Sequence, residues 1–299
     1  MLHMENFITG KCFRVFVCSF LNCSTGFPGH EYQIREALDE VLGKDDAEFF
    51  FDKVRDLTYL LQGFSHFDQF LEYFFTEADA KFYKSLGLNC LRIAFHYHHF
   101  EDDMNPRVLK PKGFALLDRV VDICAQAGIY TVLDLHAVPG AQSGGWHSDN
   151  PNPASNDFWR YKDFQDRAIW LWEHLAAHYK GNPWVAGFNP LNEPAVKDPA
   201  KLVGWYDRVH DAIRAIDEDH ILFFDGNIFA KDFSGFGDAH TRWRNATYSY
   251  HDYAVYGFPS SLERYEANDK QLQKLKETFE KKRSWMVERS LAEWNGEFG

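Results

Sequence analysis

Apolar and polar positions along the chain follow two alternating rhythms. From about residue 70 onward, short and nearly continuous apolar runs follow stretches whose apolar side chains recur every three to four residues. The runs at 90–95, 130–135, 185–189, 221–225, 246–250 and 291–295 predict six strands. The stretches at 70–86, 113–128, 158–180, 199–216 and 262–288 predict helices. Gly87, Gly128 and Gly181 follow three of these, where a left-handed residue commonly closes the last turn. Strands that read as apolar throughout, separated by helices, imply a parallel sheet covered by helices.

Such a sheet is either open and doubly wound or closed as a barrel, and the placement of polar residues decides between them. Arg92 with His96, Asp134 with His136, Asn192 with Glu193, Asp225 with Asn227, His251 with Tyr253, and Glu297 all stand at strand ends. An open sheet concentrates its chemistry at one switch point, whereas a barrel collects it from the C-terminal ends of several strands. The chain carries neither a GxGxxG after a strand nor a GxxxxGK[ST] loop. The expected fold is therefore α/β, a (β/α)8 TIM barrel, with residues 1–299 forming a single catalytic domain.

Composition narrows the partners. Against 32 Lys and Arg stand 44 Asp and Glu, a formal net charge of −12. A surface of that sign repels nucleic acid and anionic membranes, so neither is an expected partner. No apolar stretch is long enough for a membrane span. The five cysteines are odd in number and irregular in spacing, matching neither a disulfide framework nor a zinc site. The N-terminus lacks the basic n-region of a signal peptide. Location is therefore unassigned: cytoplasmic for the chain as it stands, extracellular if the N-terminus is truncated. Nine Trp invite two readings, as core residues or as flat platforms for sugars and bases.

Two carboxylates stand apart from the rest. Glu193 lies in Gly-Phe-Asn-Pro-Leu-Asn-Glu-Pro directly after a strand, and Pro194 stops regular structure there. Glu297 lies in Ala-Glu-Trp-Asn-Gly-Glu-Phe at another strand end, where Gly296 lets the backbone come close. Cleaving a sugar acetal needs one carboxylic acid to protonate the leaving oxygen and one carboxylate to attack or to activate water.

Asn192-Glu193-Pro194, Leu91-Arg92-Ile93 after Lys84-Ser-Leu-Gly-Leu-Asn89, Asp134-Leu-His136 and Trp294-Asn-Gly-Glu297-Phe298 together resemble glycoside hydrolase family 5. That family comprises clan A retaining glycosidases of cellulase and exo-glucanase type, and the resemblance covers about 68–299. It implies Glu193 as acid/base, Glu297 as nucleophile, Arg92 as the charge partner of Glu297, and Asn192 on the sugar 2-hydroxyl. His136, His251 and Tyr253 would line the subsite at the cleaved bond. It further implies a β-linked oligosaccharide, polysaccharide or glucoside as substrate, with no cofactor and no metal. The loop 137–149 resembles that of the exo-glucanase-like branch; Trp146 is the expected sugar platform, with Gln142, His147 and Asp149 on hydroxyls. Glu5, in Met-Glu-Asn-Phe, resembles a glutamate that binds the terminal sugar.

The chain also departs from the family. Only Met1-Leu-His3 precede Met4-Glu-Asn-Phe7, and two residues follow Glu297, so the first and eighth strands are expected to be missing. Residues 11–26 read as an insertion, because joining Ile8-Thr-Gly10 to Phe27 restores a continuous family segment and Thr9-Gly10 recurs as Thr25-Gly26. An incomplete barrel leaves strand edges unpaired, which raises a second reading: a catalytically impaired fragment that binds glycan. A third comes from His96, His98 and His99. An H-x-H pair at a strand end has metal-ligand spacing and, with His136, His251 and Asp225, would suit a metal-dependent barrel hydrolase.

Overall fold

In the computed structural model, which describes residues 38–47, 49, 75–150, 154–253, 256 and 263–298 (Trp146 by its backbone alone), six strands form one parallel sheet. They are β1 (Cys90–His96), β2 (Tyr130–Ala137), β3 (Val185–Asn189), β4 (Ile221–Asp225), β5 (Ala246–Asp252) and β6 (Glu293–Phe298). Each strand pairs with the one before it in sequence, so the order never reverses. A doubly wound sheet would reverse at its switch point. This order is the arc of a (β/α)8 barrel, as the strand-end chemistry predicts. Segment 1–37, with Glu5, the suspected insertion and the expected place of the first strand, lies outside the described residues.

The longer helices among the described residues are α1 (Glu77–Ser85), α2 (Pro111–Gln126), α3 (Lys162–Tyr179), α4 (Pro199–Arg214) and α5 (Asp269–Arg289). Their starts follow local chemistry. The Thr76 N–H donates to Asp79 Oδ2 at 2.8 Å ahead of α1. Asp198 accepts from the Ala200 N–H at 3.1 Å, with Pro199 at the first helical position of α4. Asn268 accepts from the Gln271 N–H at 3.0 Å and opens α5.

Several predicted boundaries move by a few residues, and the one that bears on Glu297 is the start of β6. The last strand begins at Glu293 rather than at 291, because α5 closes through left-handed Ser290 (φ 52°) and the Leu291 N–H returns to the Met286 carbonyl at 3.0 Å. That closure consumes the residues the apolar pattern assigned to the strand, and it places Glu297 inside β6 rather than beyond it.

The core lies between sheet and helices. Trp172 on α3, Trp205 and Tyr206 on α4, and Phe95, Phe188 and Phe224 on the strands are fully buried and pack into one cluster. Trp159, Trp243 and Trp285 are buried as well, so five of the nine Trp are core residues. Burying a large apolar side chain contributes about 1.5–3 kcal/mol, and truncating Phe188 to Ala would cost roughly 3–5 kcal/mol. This rigid wall fixes the strand ends that carry the site. No helix among the described residues is long and apolar enough to cross a membrane.

Candidate active site

Alternation along the strands directs one set of polar side chains into the barrel interior. Arg92 (β1), Asp134 (β2), Asn189 (β3), Asp225 (β4), His251 (β5) and Glu297 (β6) belong to it, and all are buried. Buried polar groups need partners, and these find one another. Arg92 donates to Glu297 Oε1 at 2.7 Å, to Asn192 Oδ1 at 2.7 Å, and twice to Asn189 Oδ1 at 3.0 and 2.8 Å. Asp134 lies 3.2 Å from the same guanidinium. Burial alone would lower the Arg92 pKa, but Asp134, Glu297 and Asp225 outweigh it, so the side chain stays cationic.

The histidine tautomer on β2 follows from its neighbours. Because Asn192 Oδ1 accepts from Arg92, its amide nitrogen is the group that faces His136 Nε2 at 3.3 Å. Nε2 is then the acceptor, and Nδ1–H donates to Asp134 Oδ2 at 2.7 Å. His136 presents one fixed ring orientation to the cleft.

Glu193 sits on the turn after β3 in a strained backbone. Its φ is 44°, left-handed for a non-glycine residue that also precedes a proline. The Glu193 N–H donates to Asp225 Oδ2 at 2.9 Å, and this bond anchors the turn. The facing turn is strained too: Ile228, Phe229 and Ala230 have φ of 52°, 60° and 56°, and the Phe229 N–H donates to the Pro194 carbonyl at 3.2 Å.

Both oxygens of the Glu193 carboxylate meet histidines. His251 Nδ1 is 2.6 Å from Oε1, and His147 Nε2 is 3.0 Å from Oε2. Burial favours the neutral acid, yet His147 and His251 outweigh it and hold Glu193 well below the usual carboxylate range. Glu297 accepts from Arg92 on Oε1 and from the Tyr253 hydroxyl on Oε2 at 2.7 Å. Burial and the Glu193 charge raise its pKa, but His251, Arg92 and His136 prevail and bring it to about 2. His251 Nδ1 lies 3.5 Å from Glu297 Oε2, and its Nε2 lies 3.5 Å from Asp225 Oδ2. Burial would deprotonate that imidazole, but Glu297, Asp225 and Glu193 push it up to about 9. The facing oxygens of Glu193 and Glu297, together with the His251 nitrogen, lie within 4.8 Å of one another.

Close approach at β6 depends on Gly296. Pairing slips by one residue between Tyr250 and His251, so that Asn295 faces Tyr250 and Glu297 faces His251. A Cβ on Gly296 would meet Ser249 Oγ at 2.6 Å and His251 Nε2 at 2.9 Å. Only glycine fits that bulge, as its place beside Glu297 suggested.

Seven of the expected site residues thus converge: Glu193, Glu297, Arg92, His136, Asn192, His251 and Tyr253. Trp146 begins the short turn Trp146–Ser148 in the loop after β2. Glu5 lies outside the described residues. Gln142 departs from expectation: it is fully buried, and its amide donates to the carbonyls of His136 and Asn192 at 2.7 and 2.9 Å, so it braces the backbone rather than facing a hydroxyl. Asp149 pairs with His96 Nε2 at 3.0 Å.

The histidine run also differs from its strand reading. β1 ends at His96, and Tyr97–His99 form a 3-10 turn. His96 and His98 still share a side, their rings stacked at 4.7 Å, and with Asp149 they bring three ligand-type atoms within 4.8 Å of one another. His136 and His251 do not join them, being held by Asp134 and Glu193. Two functional neighbours escaped the sequence reading. Asn189 is the last residue of β3, inside the predicted strand rather than after it, and period-two alternation was its only signal. His147 was placed on a hydroxyl, not on Glu193.

Known proteins resemble this chain over most of its length. The family model for cellulase (glycosyl hydrolase family 5) matches residues 52–299. A β-xylosidase of Phanerodontia chrysosporium is 55% identical over 298 residues, covering 100% of this chain and 56% of that protein, so the chain spans little more than half of that relative. A glucan 1,3-beta-glucosidase of Lachancea kluyveri is 28% identical over 221 residues, 71% of this chain and 44% of that one. Among solved structures, the endoglucanase Cel5A of Thermotoga maritima superposes with a TM-score of 0.61 at 19% identity, covering 75% of this chain and 72% of that one. At that identity the likeness speaks for the fold.

Proposed function

The chain belongs to glycosyl hydrolase family 5, and we propose that it hydrolyses β-glycosidic bonds with retention of configuration, using Glu297 as nucleophile and Glu193 as acid/base. One observation carries this reading: two buried carboxylates, one on the turn after β3 and one on β6, face each other with oxygens within 4.8 Å. A separation of about 5–5.5 Å between carboxyl groups suits direct attack, whereas inverting enzymes need roughly 6.5–9.5 Å to admit a water.

The surroundings divide the roles. Arg92 and Tyr253 hold both Glu297 oxygens, and a pKa of about 2 keeps it an anion at neutral pH, as a nucleophile requires. Among the described residues, no Arg or Lys side chain pairs with Glu193; it meets two imidazoles instead, as a group that must give and retake a proton requires. In the first step the Glu193 acid protonates the glycosidic oxygen while Glu297 bonds to the anomeric carbon, and the alcohol leaves. In the second, Glu193 takes a proton from the water that displaces Glu297. Asn192 and His136 stand beside the Arg92–Glu297 pair, where the sugar 2-hydroxyl would lie.

The proposed substrate is a β-linked glucoside or xyloside, or an oligosaccharide of such sugars, consistent with relatives named β-xylosidase and glucan β-glucosidase. The test is turnover of aryl β-glucosides and β-xylosides, with the first-formed anomer read by proton NMR. Appearance of the β-anomer first, loss of turnover in Glu297→Gln, and a roughly 10²–10⁴-fold loss in Glu193→Gln are expected. Initial release of the α-anomer would sink the double displacement.

A further inference from the structure

We propose that His147 is the proton partner of Glu193 and occupies, in the free enzyme, the seat that the glycosidic oxygen takes on binding. This inference rests on the reading of Glu193 as acid/base and adds a positioning residue to it.

Glu193 must be protonated when substrate is cleaved, yet both of its oxygens are held by imidazoles and its resting state is the carboxylate. Among the described residues, those two rings are the groups placed to supply the needed proton. They are not equivalent. His251 is fully buried on β5 and also balances Asp225 and Glu297, each 3.5 Å away. Removing its charge would leave two buried carboxylates less compensated, so Oε1 is the fixed side of Glu193.

Oε2 faces the loop after β2. His147 reaches it from the turn Trp146–Ser148, with its ring lying on Gly145, where a Cβ would meet Cε1 at 2.3 Å and Nδ1 at 2.8 Å. The loop is closed at its base by Asn150, whose amide donates to the Ser143 carbonyl at 2.9 Å, and by the Asp149–His96 pair. Gly144, Gly145, Trp146 and His147 form its tip, so a change there leaves the base in place. Also facing this cluster, among the described residues, are Ser143, whose Oγ lies 3.4 Å from His147 Nε2, His136, edge-on to the His147 ring at 5.9 Å and held by Asp134, and Phe229 at 6.0 Å.

The protons balance. An imidazolium at His147 gives its Nε2 proton to Oε2, leaving neutral imidazole and neutral carboxylic acid. The ring withdraws and the glycosidic oxygen replaces it. Glu193 then passes that proton to the leaving oxygen as the C–O bond breaks, and Glu297 bonds to the anomeric carbon. When water opens the glycosyl ester, its proton returns to Glu193, and His147 resumes its place as the product departs. A histidine partner lets the pair keep its proton to a higher pH than a lone carboxyl group could.

The test compares phenyl and dinitrophenyl β-glycosides, of glucose and of xylose, across pH, using the full chain and His147→Gln, Gly145→Ala and Glu193→Gln. Phenol is a poor leaving group that needs the acid, and dinitrophenol is a good one that does not. For phenyl glycosides, His147→Gln should move the basic limb of kcat/KM down by at least about one pH unit, a tenfold change in proton affinity. KM should fall along with kcat, as when an occupied seat is cleared. The dinitrophenyl profile should move less, and Gly145→Ala should shift the phenyl profile in the same direction by displacing the ring. Independently of turnover, carbon NMR on Glu-labelled protein should show the Glu193 carboxyl titrating at higher pH in His147→Gln. An unmoved phenyl profile, or an unmoved Glu193 titration, overturns the role of His147. Full phenyl activity in Glu193→Gln instead overturns the acid/base reading beneath it.

Discussion

Arg92 Nη1 lies 2.7 Å from Glu297 Oε1, joining the first and last described strands across the barrel interior. The pair is buried, with exposures of 4% and 7%, and the same guanidinium also holds Asn189, Asn192 and Asp134. Arg92→Gln would leave Glu297 and Asp134 without their cation, at a cost of roughly 3–5 kcal/mol. Arg92→Lys keeps one charge but cannot span four partners, since an ammonium lacks the guanidinium fork. Urea melts should rank wild type above Lys and Lys above Gln. In the Gln variant the acidic limb of kcat/KM should move to higher pH, because Arg92, which with His251 lowers Glu297, is gone. Equal melts for all three proteins would remove Arg92 from this role.

The titration of the site sets a window of stability. Glu297 drops from an ordinary 4.5 to about 2 on folding, so its contribution is present above 4.5 and fades as pH falls toward 2. His251 rises from 6.5 to about 9, so its contribution is complete below 6.5 and fades as pH climbs through 9. Calorimetric Tm should therefore fall on both sides of the interval between 4.5 and 6.5. His251→Gln should flatten the alkaline slope and weaken the acid slope as well, because His251 also holds Glu193 and Glu297 low. An alkaline slope unchanged in that variant would assign the loss to other groups.

Asp225 ties the acid/base turn to the sheet. Its Oδ1 accepts from the Asn189 amide at 3.1 Å and its Oδ2 from the Glu193 N–H at 2.9 Å. Asp225→Asn would aim an NH₂ at one of these donors and release the left-handed Glu193 backbone. The fold should survive while kcat for phenyl glycosides falls about 10²-fold, the scale of a 1 Å misplacement. A dinitrophenyl substrate should lose less, since it relies less on Glu193. Equal losses on both substrates would mean that Asp225 acts elsewhere, for instance through Asn189 and Arg92.

Much of this arrangement was legible because chemistry-bearing residues sit where strand periods end. Glu193 and Asn192 follow an apolar run and precede a proline, and Glu297 follows a glycine, so type and place agree. Arg92 stands out as a lone charge inside an apolar strand. What escaped depended on geometry between segments. Asn189 reads as an ordinary strand residue until Arg92 is known to reach past β2 to it. Gln142 looks like a loop polar group, and only the fold buries it against the His136 and Asn192 carbonyls. His147 sits 46 residues from Glu193, and no local pattern brings an imidazole to one particular carboxylate oxygen. The start of β6 was misjudged because the left-handed closure at Ser290 leaves no mark in the apolar pattern.

Gly296 is where backbone and catalysis meet most tightly. The register slip at Tyr250/His251 lets Glu297 rather than Gly296 face His251, and the missing Cβ leaves room for Ser249 Oγ and His251 Nε2. In Gly296→Ala the new methyl group would press on both at 2.6 and 2.9 Å. Overpacking of this kind typically costs about 1–3 kcal/mol. The displaced His251 would loosen its hold on Glu193 Oε1 and its approach to Glu297 Oε2 together. Turnover of phenyl glycosides should therefore fall by about 10²-fold or more. Gly296→Ala combined with Ser249→Gly should regain stability, because the nearest clashing atom is removed. Activity should stay low in the double variant, because the clash with His251 remains. Full recovery of both would mean that the bulge needs room only on the Ser249 side and that the His251 ring tolerates the methyl group.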